Sequence, residues 1–132
     1  MKNNKEFSAE MKRRIYKLVN DILMIAKEID WKAVCLGNAR AQLANACTSV
    51  GANYIEAIGT ATPKDFSRFL GHALRSANET QYWLLLIHDL SVSHKSRIKV
   101  LLDETMQISK ILATSIKTIR RQNSPKKRAI FD

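Results

Sequence analysis

His72, His88, His94, Cys35 and Cys47 are the side chains best suited to hold a metal or act as a nucleophile. A di-iron site inside a helical bundle needs Glu-x-x-His pairs, yet Phe69, Leu85 and Ser91 stand three residues before the three histidines. Two cysteines twelve positions apart make no zinc pattern, and the chain has no Gly-rich phosphate loop, GxSxG elbow or HExxH helix. One polar constellation remains. Ser49, Asn53 and Glu56 fall at i, i+4 and i+7 within TSVGANYIEA, so a helix stacks them on one stripe. Acid–base chemistry would need a second group beside Glu56. Glu79 could face it, but nothing in the spacing requires that. The stripe reads more simply as a packing seam, with Gly51 and Ala52 letting another helix come close. No catalytic residue, metal or cofactor is expected, and the chain does not read as an enzyme.

Four apolar stripes would position these residues. Met11, Ile15, Leu18, Ile22, Ile25 and Ile29 alternate spacings of four and three, predicting a helix over 8–29 with Ser8 as its cap. Leu43, Ala46, Val50 and Ala57 predict a second over 39–58, interrupted by Asn53 and stopped at Gly59. In TPKD, Thr62 can cap, Pro63 suits the first helical position and Asp65 answers back, opening a third helix over 63–90. Its stripe is Phe66, Leu70, Ala73, Ala77, Thr80, Leu84 and Ile87. Ile98, Leu101, Thr105, Ile108, Leu112 and Ile119 predict a fourth over 97–121, followed by Pro125 and a basic tail over 123–132. Four helices of similar length with short links imply an all-α fold, an antiparallel up-down-up-down four-helix bundle forming one domain over 1–122. The run WLLLI at 83–87 is apolar almost all the way round, more than one bundle face needs, and so predicts a second burial surface and self-association.

Composition bounds the function. With 132 residues, four Gly and two Pro, the chain holds one core and few turns. No apolar run approaches 20 residues and no signal-type segment follows MKNNKEF, so the expected location is cytoplasmic, with no membrane contact and both cysteines reduced. The formal net charge is +10, unevenly spread. Lys2, Lys5, Lys12, Arg13, Arg14 and Lys17 outweigh Glu6 and Glu10 at the start. Lys117, Arg120, Arg121, Lys126, Lys127 and Arg128 outweigh Asp132 at the end. An up-down-up-down bundle brings both termini to one pole. Cations near the start of a helix oppose its dipole, so Lys12, Arg13 and Arg14 lack a local structural reason and point to a polyanionic partner.

The segments QLANACTSVGANYIEA and PKDFSRFLGHALRSANETQYWL resemble the four-helix-bundle family encoded by intervening sequences within 23S ribosomal RNA genes. The matching positions are Gln42, Leu43, Ala46, Ser49, Val50, Ala52, Asn53 and Glu56, then Asp65, Phe66, Glu79, Thr80, Tyr82, Trp83 and Leu84. The resemblance implies a ring-like homopentamer associated with structured RNA or another nucleic acid. A related bundle is the basic, pentameric accessory protein of diversity-generating retroelements, which implies a reverse transcriptase as an alternative partner and an adaptor as the alternative role. Members of the family often carry Arg between Leu43 and Ala46, where this chain has Ala44 and Asn45. Arg40 or the terminal clusters would then supply the nucleic-acid contacts. The polar set Ser49, Asn53, Glu56, Glu79 and Trp83 would form a seam within or between bundles.

Overall fold

A helix buries its aliphatic stripe only against other helices, and this chain carries four such stripes in succession. In a computed structural model, which describes residues 4–34 and 37–123, they form α1 (Asn4–Ala26), α2 (Ala39–Ile58), α3 (Pro63–Leu90) and α4 (Lys95–Gln122). Each helix packs on its neighbour in sequence, and α4 closes the bundle on α1, the antiparallel arrangement the spacing implies. The core is largely aliphatic: Ile15, Ile22, Leu43, Leu70, Leu84, Ile98, Ile108 and Leu112 are almost fully enclosed. Burying each such side chain is worth about 1.5–3 kcal/mol, so the stripes dominate folding. Thr80 and Thr105 sit among them at no exposure, because each hydroxyl donates to the carbonyl four residues back, Ser76 and Leu101, at 2.7 Å.

Three boundaries differ from those read from the sequence. Ser8 does not cap α1 but lies inside it, since the helix already runs from Asn4. At the other end α1 stops at Ala26 rather than Ile29. The Trp31 indole N–H donates to the Ala26 carbonyl at 2.9 Å, and Asp30 Oδ1 accepts from the Ala33 N–H at 3.1 Å. The chain thus turns while Ile29 and Trp31 still fold onto the core. α4 starts two residues before the expected position, at Lys95. The α3 start is as read: the Thr62 hydroxyl accepts from the Asp65 N–H at 3.1 Å, with Pro63 leading the helix. Tyr54 fills the place where Asn53 interrupts the α2 stripe, and its hydroxyl donates to the Ser8 carbonyl at 3.3 Å.

The link from α3 to α4 carries a conformational cost. His94 has φ 69° and ψ 7°, the left-handed region that a side chain disfavours by about 1–2 kcal/mol. Among the described residues its ring bonds only the adjacent Ser93 hydroxyl, at 2.9 Å. Glycine removes the steric penalty but adds freedom to the unfolded chain. His94→Gly is expected to raise stability by about 0.5–1 kcal/mol, seen as a thermal midpoint a few degrees higher by circular dichroism.

Candidate nucleic-acid interface

The cations of α1 divide between two faces. Arg14 donates from Nε to Glu104 Oε2 at 2.8 Å and from Nη2 to Glu104 Oε1 at 2.7 Å and Gln107 Oε1 at 2.8 Å. This two-pronged hydrogen bond to Glu104 pushes the guanidinium pKa up from its already high value. The pair is part-buried and ties α1 to α4, so Arg14 is structurally engaged. Lys17 leans on Asp21 at 2.6 Å and remains mostly exposed. Lys12 lines a cleft between α1 and α2, and Arg13 borders both that cleft and the depression beside Arg14 and Lys17; neither forms an ion pair among the described residues.

Register decides how closely the terminal clusters approach. Arg14 lies opposite Glu104, so Lys12–Lys17 sit level with residues about 101–106 of α4. Arg120 is some fourteen residues further along, about 20 Å at 1.5 Å per residue. The two ends do share a pole, where Asn4, Phe7 and Ser8 meet Thr118, Ile119 and Gln122 around one depression. The pole itself, however, holds Lys117, Arg120 and Arg121, while the Lys12–Lys17 group lies partway up the bundle. Arg40 opens α2 at the far pole, about 30 Å from the end of that helix, and cannot join either group. Lys126, Lys127 and Arg128 lie outside the described residues.

A basic groove that the stripes gave no reason to expect opens between the start of α3 and the end of α4. Lys64, Arg68, His72 and Arg75 line one side and Arg120 the other, around a volume of about 930 Å³. The Arg68 guanidinium lies 4.7 Å from the centre of the Phe69 ring and 3.3 Å from Asp65. His72 meets the same ring edge-on at 6.0 Å. Lys64, Arg75 and Arg120 form no ion pair among the described residues. The available signal was the spacing of Lys64, Arg68 and Arg75, four and seven apart, which places three cations on one stripe of α3.

The polar stripe of α2 lies at the margin of the core, with Ser49 and Asn53 half-buried. Asn53 Nδ2 donates to the Ser49 carbonyl of its own helix at 2.9 Å, and Glu56 is exposed. Glu79 accepts from the Trp83 indole at 3.4 Å, also within one helix. Glu56 and Glu79 do not face each other. Across the tight link at 59–62, Glu56 lies near the start of α3, whereas Glu79 is sixteen residues past Pro63, about 24 Å away. Nor does close packing of α1 demand Gly51: a Cβ there would meet only Ile15 Cγ2, at an ordinary 3.8 Å. The surplus apolar surface is real, with Tyr82 57% and Leu85 49% exposed on α3. Cys47, by contrast, is enclosed, and burial pushes its thiol up to about 11, far from a reactive thiolate at neutral pH. No group of three His, Cys, Asp or Glu able to hold a metal occurs among the described residues, and no helix there is long and apolar enough to cross a membrane.

Four antiparallel helices around an aliphatic core, with a cluster of cations where α3 begins and α4 ends, define a basic all-α four-helix-bundle protein. The model of the 23S rRNA-intervening sequence protein family matches residues 8–114, and the chain belongs to that family. Its fold is similar to the crystal structure of a Bacteroides thetaiotaomicron protein of unknown function from the S23 ribosomal protein family. That likeness has a TM-score of 0.73 and 26% identity, covering 83% of this chain and 97% of the other. No curated protein matches this sequence. Neither the family nor the structural neighbour indicates a catalytic activity.

Two outcomes test this description. Gly51→Ala is expected to stabilise the protein by about 0.5–1 kcal/mol in chemical denaturation, because the methyl group has room and the helix interior gains propensity. In a Cys35→Ser background, Cys47 is expected to resist alkylation at pH 8 in the native state and to react fully once denatured. A thiol near 11 is only about one part in a thousand ionised at that pH.

Proposed function

We propose that this protein is a non-enzymatic cytoplasmic bundle that binds structured RNA, or another nucleic acid, through its phosphates. The observation that carries the reading is a set of cations with no ion pair among the described residues, Arg120 beside Lys64 and Arg75 with Lys117 and Arg121 on the same last turns of α4, on a chain of net charge +10. Membership of a family named for 23S rRNA intervening sequences supports RNA as the polyanion. We further propose a ring-like homopentamer as the working assembly. Tyr82 and Leu85 on α3 support it, as does an apolar cleft between α1 and α2 lined by Tyr16, Val19, Ala52 and Ile55. The exposed Glu56 and the half-buried Ser49 and Asn53 would then contribute a polar seam between subunits. Five copies would carry about +50, a repulsion that a polyanion relieves.

The α1–α2 cleft also favours a second reading, an adaptor that docks a protein such as a reverse transcriptase. Fluorescence anisotropy with an rRNA stem-loop, a scrambled hairpin and duplex DNA separates the two. Nucleic-acid binding is expected to weaken roughly 50-fold between 50 and 200 mM salt, as four phosphate contacts to unpaired strands would give. Light scattering should find about 75 kDa, five copies of a 15.0 kDa chain. No binding at the lower salt would overturn the nucleic-acid reading in favour of the adaptor.

A further inference from the structure

We infer that the α3–α4 groove is the seat of a single strand of nucleic acid, an assignment that rests on the nucleic-acid reading above and locates it. Four observations converge. The lining carries Lys64, Arg68, Arg75 and Arg120 and, among the described residues, no carboxylate; the nearest, Asp65, is already bound to Arg68. The positive end of α3 and the negative end of α4 meet there, so their dipoles largely cancel and side-chain charge sets the potential. From Lys64 to Arg75 the stripe runs about 16 Å, the length of roughly five stacked nucleotides at 3.4 Å each. The groove is an open furrow on the bundle surface with a volume of about 930 Å³, so a strand can lie in it without the helices parting.

The walls suit that ligand in detail. Arg68 is held against Phe69 with its side chain still 58% exposed, so it reaches a phosphate with little loss of freedom. Arg120 faces it from α4, giving the strand cations on both sides. Gly71 forms part of the groove wall, where an added Cβ would meet nothing within 4 Å. That absence of a side chain keeps the channel open midway between Lys64 and Arg75.

The decisive variant leaves charge untouched. Gly71→Leu fills the groove with an apolar side chain on a helix that tolerates it, and circular dichroism is expected to show an intact fold. Binding of a fluorescein-labelled ten-nucleotide oligouridylate at 100 mM salt should weaken at least fivefold. Lys64→Gln with Arg75→Gln should weaken it at least tenfold and reduce the salt slope by about 1.4, as two lost phosphate contacts require. Lys12→Gln with Arg13→Gln removes the same charge from α1 and should cost less than threefold. Equal losses in the two double variants, with Gly71→Leu at wild-type affinity, would overturn the groove while leaving nucleic-acid binding standing. If the wild-type protein binds neither the oligouridylate nor the stem-loop at 50 mM salt, the parent reading fails and the groove assignment with it. Wild-type affinity for the stem-loop without affinity for the oligouridylate would overturn the groove alone.

Discussion

The two-pronged contact of Arg14 with Glu104, extended to Gln107, sets the register on which the charge map of this molecule depends. Short links at 59–62 and 91–94 leave α2, α3 and α4 little freedom to slide past one another. α1 is different, because twelve residues separate it from α2 and its aliphatic stripe would accept a shift by a heptad. The Arg14 fork resolves that ambiguity, aided by Arg97, which reaches Glu28 at 2.7 Å near the other pole. Pairs partly open to solvent, as these are, contribute little to stability. Their effect is to select one alignment among several that bury similar apolar area. In the selected alignment, Lys12 and Arg13 stand partway up the bundle instead of crowding against Arg120.

The apolar periodicity was enough to read the fold. All four helices and their inward faces follow from the spacing of Ile, Leu, Val and Ala, because burial of those residues outweighs every other local preference. The ends of α1 differ from the expected 8–29 because they depend on contacts that periodicity does not encode. The Trp31 indole closing on Ala26 is a side-chain-to-backbone bond across five residues, and it halts a helix whose apolar pattern continues to Ile29. Likewise, Gly51 suggested a close helix approach, yet the neighbouring chain leaves room for a methyl group.

The candidate interface was less legible, for a reason of density. Terminal clusters such as Lys126–Arg128 stand out in a linear scan, whereas Lys64, Arg68 and Arg75 are diluted among apolar residues and an aspartate. Only when α3 lies against α4 do they gain Arg120 as a fourth member. Arg40 shows the converse: its charge reads well in the sequence, and its place at the start of α2 removes it from the pole. Net charge is additive along a chain, but a binding surface depends on which helix end each charge occupies.

The unequal packing of the helices also bears on how the chain assembles itself. The backbones of α2 and α3, and of α3 and α4, approach most closely, all between neighbours in sequence, while α1 stands further from its two flanking helices and reaches them through its buried stripe. Contacts close in sequence form at low entropic cost, so residues 39–122 can organise as successive hairpins before α1 docks. α1 is then the last piece in and the first out, covering Leu43, Val50 and Tyr54 as a hinged side covers a box.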